Sequence, residues 1–224
     1  MPMPVKERLG LTGNQLKLLA MIAMTCDHVG LQLLPQYPIL RIIGRLSLPI
    51  YAYMIAEGCR HTHDRKNYLL RLAGMAALCQ IVYFFAMGSL YQCILVTFSL
   101  SVCLIYALED GIGLRSVGCL TVVFFLCMIL PDLLPHTDFY IDYGLMGVLL
   151  PVIIYFGRPK TIQSLTIGLV LLALQTGGRQ WWALAAVPLL ALYNGQRGKG
   201  NIGKLFYLYY PAQLVVIYFL SMLM

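Results

Sequence analysis

The chain has 224 residues, of which 60% are hydrophobic and only 11% charged, with a mean hydropathy of +0.77. A soluble domain carries about 25% charged residues, so this composition excludes an ordinary soluble enzyme and marks an integral membrane protein. The formal charge of +7 sits in short stretches between apolar runs, where it reports topology rather than a nucleic-acid surface.

A hydrocarbon core of roughly 30 Å takes about 20 residues per helix, which divides the apolar runs into about nine predicted spans. They fall at 15–34, 40–58, 67–87, 91–108, 115–134, 141–157, 161–176, 180–194 and 204–223. Breakers separate them: Pro35 and Pro38, Gly88, Gly111 and Gly113, Pro131 and Pro135, Pro159, then Gly177 and Gly178. The basic start followed by an apolar run outlines a signal peptide, but no small-residue cleavage site follows and Asp27 and His28 interrupt the run, so it reads as a retained first span. With the N-terminus inside, Lys6, Arg8, Lys17, Arg60, Arg65, Lys66, Arg71, Arg115, Arg158, Lys160, Arg197, Lys199 and Lys204 are cytoplasmic. Only Arg41, Arg45 and Arg179 are left outside. The positive-inside rule therefore predicts a cytoplasmic N-terminus and an outward C-terminus. The expected fold is one all-α, polytopic bundle over residues 1–224. Seven scattered cysteines, without a C-x-x-C pair, read as apolar fillers.

Taken in chain order, the polar residues inside these runs are the candidates for function, because lipid penalises them unless they face a bundle interior or a wet cavity. His28 is thirteen residues into the first span, ~20 Å along a ~30 Å core and so in its outer half. Asp27 and His28 are neighbours and point ~100° apart, so each needs a partner on another helix. Arg41 and Arg45 share one face of the second span at the same depth, which makes an Asp27–arginine pair the natural inference. Such a pair can be a structural tie as well as a catalytic one, and Arg45 can be a snorkelling anchor. Pro49 removes the hydrogen bond to the Arg45 carbonyl and predicts a kink there.

The loop from Glu57 to Lys66 gathers Arg60, His61, His63, Arg65 and Lys66. It reads either as a purely topogenic loop or as an anion site for a phosphorylated cytosolic donor. His61 and His63 lack a third ligand, so no metal is expected. The sixth span opens on Asp142-Tyr143-Gly144, a second carboxylate at the outer face, and Arg179 precedes Trp181 and Trp182. Tyr143 and the two tryptophans read as interfacial belt residues.

The stretches LKLLAMIAMTCDHVG, LRIIGRLSLPIYAYMIAEGCRHTHDRKNYLLRL, TDFYIDYGLMGVLLPVIIYF and KLFYLYYPAQLVVIYFL together resemble the TraX family, named for the F-pilin acetylase, from about residue 12 to the C-terminus. The resemblance implies a multi-pass protein of the bacterial inner membrane that transfers acetyl from acetyl-CoA to an amine or hydroxyl, related to the wider membrane acyltransferases. It carries the family's D-H onto Asp27 and His28, its R-x-x-x-R onto Arg41 and Arg45, its E-G-x-R-H-T onto Glu57 to Thr62, and its D-Y-G onto Asp142 to Gly144. The family's final span often reads Y-P-x-H, where this chain has Tyr210-Pro211-Ala212-Gln213.

The expectation is thus a membrane acetyltransferase with His28 as general base and Asp27 or Asp142 orienting the imidazole. Arg41 or Arg45 would stabilise an oxyanion, and Arg60, His61, Arg65 and Lys66 would hold coenzyme A at the cytoplasmic end. Its acceptor would be a peptide or small molecule at the outer half of the membrane, and no nucleic acid is involved. A transporter or channel using the same cluster for protons or anions is the alternative.

Overall fold

The computed structural model describes residues 10–199 and 203–223 and is all-α. In chain order the helices are α1 (Gly13–Gln32), α2 (Pro38–Gly44), α3 (Ser47–His61), α4 (Arg65–Met87) and α5 (Ile94–Glu109). Next comes α6 (Leu114–Phe124), which passes through a π-helical turn, Phe125–Ile129, into α7 (Leu130–Leu133). After a loop come α8 (Gly144–Phe156), α9 (Thr161–Thr176), a 3₁₀ segment (Gly178–Ala185), α10 (Ala186–Ala191) and α11 (Gly203–Leu223). Lys6 and Arg8, and residues 200–202 between α10 and α11, lie outside the described residues, as does the side chain of Lys204.

The expectation of about nine crossing helices is overturned. Among the described residues only Pro38–His61, Arg65–Phe85 and Leu114–Leu133 are long and apolar enough to cross a membrane. The apolar segments Ile94–Glu109, Gly144–Phe156 and Thr161–Thr176 are helices of 16, 13 and 16 residues, about 20–24 Å at 1.5 Å per residue against a core of ~30 Å. The physical reason is that an apolar helix can be dissolved in protein as well as in lipid. Phe98, Val102, Leu104 and Ile105 on α5, Val148, Leu150 and Ile154 on α8, and Leu165, Leu169 and Leu172 on α9 form the buried core. The predicted span 180–194 is not one helix: positive φ angles at Gly177 and Gly178 turn the chain, and a 3₁₀ segment leads into six-residue α10. The alternation of sides built on nine crossings, with its inside N-terminus and outside C-terminus, goes with it.

Among the described residues, two of the long helices present exposed apolar faces. Ile81, Phe84 and Phe85 on α4 and Val117, Leu120, Val122 and Phe124 on α6 stand exposed, an arrangement that suits hydrocarbon and associates the protein with a membrane.

At the other extreme of packing, α1 and α2 approach so closely that a Cβ on Gly44 would lie 2.2 Å from Asp27 Oδ1. Glycine is required there by the neighbouring carboxylate. The helix breaks after Gly44, at Arg45 and Leu46, where Pro49 leaves the Arg45 carbonyl without its usual donor.

The ends of the bundle are tied by short polar contacts. Thr12 caps α1 in a reciprocal box with Gln15. The 193–198 strap holds the same turn, with Gly13 N donating to Gln196 O at 2.8 Å and Asn14 N to Arg197 O at 2.9 Å.

Candidate functional site

The C-terminal half of α1, the α2–α3 break, the start of α5, the loop before α8, the 3₁₀ segment and α11 enclose a cavity of ≈ 710 Å³. Asp27, His28, Arg41, Arg45 and Asp142 all line it. Residues drawn from across more than a hundred positions of sequence therefore meet in one chamber.

Asp27 is the hub of its cationic side. Arg41 Nη1 donates to Asp27 Oδ2 at 2.7 Å, and Arg45 Nη2 pairs with Oδ1. Two guanidiniums on one carboxylate fix α2 against α1 and leave net positive charge beside the cavity. Arg45 is no snorkelling anchor: its Nη1 also donates to Tyr143 Oη at 3.2 Å and to Gln180 Oε1 at 3.3 Å.

The Asp142-Tyr143-Gly144 turn is built from backbone conformation. Tyr143 has φ +60° and Gly144 φ +56°, two successive left-handed residues, a conformation a tyrosine adopts only at some cost. Thr97 Oγ1 donates to the Asp142 carbonyl at 2.9 Å and Tyr91 Oη to Asp142 Oδ1 at 2.5 Å. Tyr143 was expected in an interfacial belt; its hydroxyl instead sits on Arg45 and its ring faces the guanidinium carbon at 5.9 Å. In the neighbouring loop, hydrogen bonds from the Ser89 hydroxyl and the Leu90 amide hold the Asp138 carboxyl below the usual carboxylate range.

The imidazole of His28 has neither Asp27 nor Asp142 as its hydrogen-bond partner among the described residues. Gln213 of α11 stands there, its Nε2 3.1 Å from His28 Nδ1. Tyr210, one turn earlier on α11, has its ring 6.1 Å from the imidazole. Tyrosines are the residues sequence reasoning missed. Tyr51, Tyr83, Tyr91, Tyr140 and Tyr210 line the cavity; Tyr210 stands in the stretch that the resemblance singles out, and no spacing links the others to His28.

A second, narrow, mostly apolar cavity adjoins the first. Met24, Tyr51, Ile94 and Tyr210 line both, and the narrow one continues past Ile55, Leu95 and Phe98 to Gly58, Tyr68 and Lys17. Lys17 is eleven residues before His28 on α1, so the two ends are about 16 Å apart along that helix.

The residues expected to hold a donor are near Gly58 and Tyr68 in sequence, but none of them lines the narrow cavity, and Arg60 lines a separate one with Glu57 and Arg158. Arg60 is largely engaged: Nη1 pairs with Glu57 at 2.6 Å and Nη2 donates to the Ile154 and Tyr155 carbonyls at 2.6 and 2.7 Å, while its buried Nε has no partner among the described residues. It closes the end of α8 against α3. His61 is exposed and 3.3 Å from Glu57. Arg65 reaches Glu109 at 2.9 Å while half exposed, and Lys66 is exposed. Among the described residues no group of three or more His, Cys, Asp or Glu is placed to hold a metal.

The chain matches the model of the family described as TraX protein over residues 12–221. A probable fimbrial assembly protein, FimC of serogroup H1, from Dichelobacter nodosus is 28% identical over 240 aligned positions, covering 91% of this chain and 93% of that protein. An uncharacterized protein of Rickettsia prowazekii (strain Madrid E) is 55% identical over 38 residues, 17% of this chain and 15% of the relative. No solved structure matches the chain.

Proposed function

Because the chain belongs to the TraX family, and so to a membrane function of acetyltransferase type, we propose that it moves an acetyl group from acetyl-CoA to an amine or hydroxyl acceptor held in the wide cavity, with His28 as general base. The observation that carries this reading is the convergence of His28, Asp27, Arg41, Arg45 and Asp142 on a single chamber large enough for a small acceptor or the end of a peptide. The name of the Dichelobacter nodosus relative points to fimbriae, in keeping with a protein end as one kind of acceptor.

In this scheme the acceptor's amine or hydroxyl attacks the thioester carbonyl as His28 takes its proton. The tetrahedral oxyanion is met by Arg41 or Arg45, and its collapse breaks the C–S bond and releases the coenzyme A thiolate, which is reprotonated. General base catalysis is worth ~10²–10⁴-fold, and cations in a water-poor site add to it. Asp27 holds the two arginines in place, and Gln213 holds the imidazole.

The narrow cavity offers the donor's path. A pantetheine arm is about as long as a four-residue extended peptide, roughly 14 Å, close to the separation of Lys17 and His28 along α1. An arm entering past Tyr68 would deliver its thioester between Tyr51, Met24, Ile94 and Tyr210, beside His28. Arg65 and Lys66, with His61, are the exposed cations for its phosphates.

The test is acetyl transfer by the purified protein. Wild type should consume acetyl-CoA in the presence of an acceptor; His28→Gln, which keeps size and hydrogen bonding but carries no proton, should lose at least a hundredfold in rate while still binding coenzyme A. Wild-type rates in His28→Gln would remove His28 from the chemistry.

A further inference from the structure

The polar groups of the wide cavity fall into two hydrogen-bonded sets of opposite sign. One joins Arg41, Asp27, Arg45 and Gln180, with Arg179 next to Gln180 in sequence and also on the cavity wall. The other pairs Ser89 with Asp138 and Tyr91 with Asp142. In the first set Arg41 and Arg45 share a single contacting carboxylate, Asp27, while Asp138 and Asp142 belong to the second set on the same cavity.

Two features of that set point to a missing anion. Arg179 is exposed at the cavity mouth and has no carboxylate within 4 Å among the described residues. Gln180 is 4% exposed; its Oε1 accepts from Arg45 Nη1, while its buried Nε2 has no hydrogen-bond partner among the described residues. A buried amide donor without an acceptor is costly, and a donor beside guanidiniums suits a negatively charged oxygen better than a neutral one.

We propose that this wall binds an anionic substituent, a carboxylate or a phosphate, carried by the acetyl acceptor beside its reacting amine or hydroxyl. Resting on the acetyl-transfer reading for the word acceptor, the assignment otherwise stands on the wall itself. Arg179 would engage the anion first as the acceptor enters, Gln180 Nε2 would donate to it, and Arg41 and Arg45 would hold it without leaving Asp27. The nucleophile would then be presented toward His28 and the acidic set. The donor's own phosphates are the other source of the same chemistry; on the proposed donor path they would lie at the far end of the narrow cavity.

The experiment measures thermal stabilisation of the purified full chain in detergent by inorganic phosphate and, separately, by acetyl-CoA. Wild type should be stabilised by millimolar phosphate, Arg179→Lys should keep the response, and Arg179→Gln and Gln180→Leu should each need at least tenfold more phosphate. All four proteins should keep their response to acetyl-CoA. A phosphate response that is absent in wild type, or unchanged in both Arg179→Gln and Gln180→Leu, overturns the site. Parallel loss of the acetyl-CoA response in those two variants overturns the acceptor assignment, because the wall then holds the donor. Phosphate behaviour as expected with no acetyl-CoA response in any protein supports the anion wall and counts against the acetyl-transfer reading alone.

Discussion

Gln213 Nε2 lies 3.1 Å from His28 Nδ1 and ties α11 to α1 at the edge of the wide cavity. As the amide stands, it donates to Nδ1 and, at 3.5 Å, to the Met24 carbonyl; the proton of a neutral imidazole is then on Nε2, and Gln213 Oε1 is buried without a partner among the described residues. Turning the amide over would give Nδ1–H an acceptor and bare Nε2 as a base, at the expense of the contact with the Met24 carbonyl. Gln213 is then a positioning residue that selects the working tautomer. Replacing Gln213 by Leu should lower kcat roughly ten- to hundredfold, a part of the general-base contribution, with KM for acetyl-CoA unchanged. Gln213→Glu, which can only accept from Nδ1–H when ionised, should recover much of that loss. Steady-state kinetics on the two variants decides it; equal damage in both, tracking a fall in Tm, would make the contact structural.

The close approach of Gly44 to Asp27 gives a second prediction. A methyl group at position 44 would sit 2.2 Å from Asp27 Oδ1 and 2.4 Å from its Cβ, contacts no side chain tolerates without movement. Gly44→Ala should therefore destabilise the protein by roughly 1–3 kcal/mol and separate Asp27 from Arg41 and Arg45. Thermal unfolding in detergent measures the first effect and acetyl transfer at a permissive temperature the second.

Arg60 and Arg65 should behave differently although they are close in sequence. The Arg60 side chain is 6% exposed and its pair with Glu57, 11% exposed, is supplemented by two carbonyls of α8. Arg60→Ala leaves a buried carboxylate facing only half-exposed Arg158 and exposed His61 and should cost about 3–5 kcal/mol. Arg65→Gln with Lys66→Gln removes exposed charge, so stability should change little, while KM for acetyl-CoA rises severalfold and loses much of its salt dependence. Urea or thermal unfolding, together with KM at two ionic strengths, separates the two roles.

How much of this was legible in the sequence depends on the range of the interaction. The Asp27–arginine contact followed from helix spacing and depth, because Arg41 and Arg45 are one turn apart and a buried carboxylate needs a cation. The break at Arg45 followed from Pro49. The number of crossing helices did not follow, because hydropathy reads α8, with Val148, Leu150 and Ile154 wholly buried in protein, as it would read a helix in lipid. Charge alone makes Arg60 a phosphate contact; that two α8 carbonyls nearly a hundred residues away claim its Nη2 is tertiary information. Gln213 beside His28 and Gln180 beside Arg45 are likewise long-range contacts made by uncharged amides, which leave no mark in a charge or periodicity pattern; only the resemblance singled out position 213.

The last prediction concerns the narrow cavity, whose lining reaches from Lys17 and Tyr68 to the four residues it shares with the wide one. If a pantetheine arm runs there, filling its waist should exclude the donor while sparing the chemistry. Leu95 and Ile55 are half-buried on its wall and distant in sequence from Asp27, His28 and Asp142. Enlarging either residue, as Leu95→Trp or Ile55→Trp, overfills a packed space at a cost of roughly 1–3 kcal/mol, which a stable wild type should survive. Transfer from acetyl-CoA should then fall at least a hundredfold in kcat/KM, whereas acetylation by a small activated ester such as p-nitrophenyl acetate, which enters through the wide cavity, should remain within a few-fold of wild type. Loss of both reactions in a protein that still unfolds cooperatively would mean that the enlarged side chain reaches the His28 chamber. Retention of both would show that acetyl-CoA enters by another route, through the wide cavity itself, and would shift the search for its phosphate contacts from Arg65 and Lys66 to Arg41, Arg45 and Arg179.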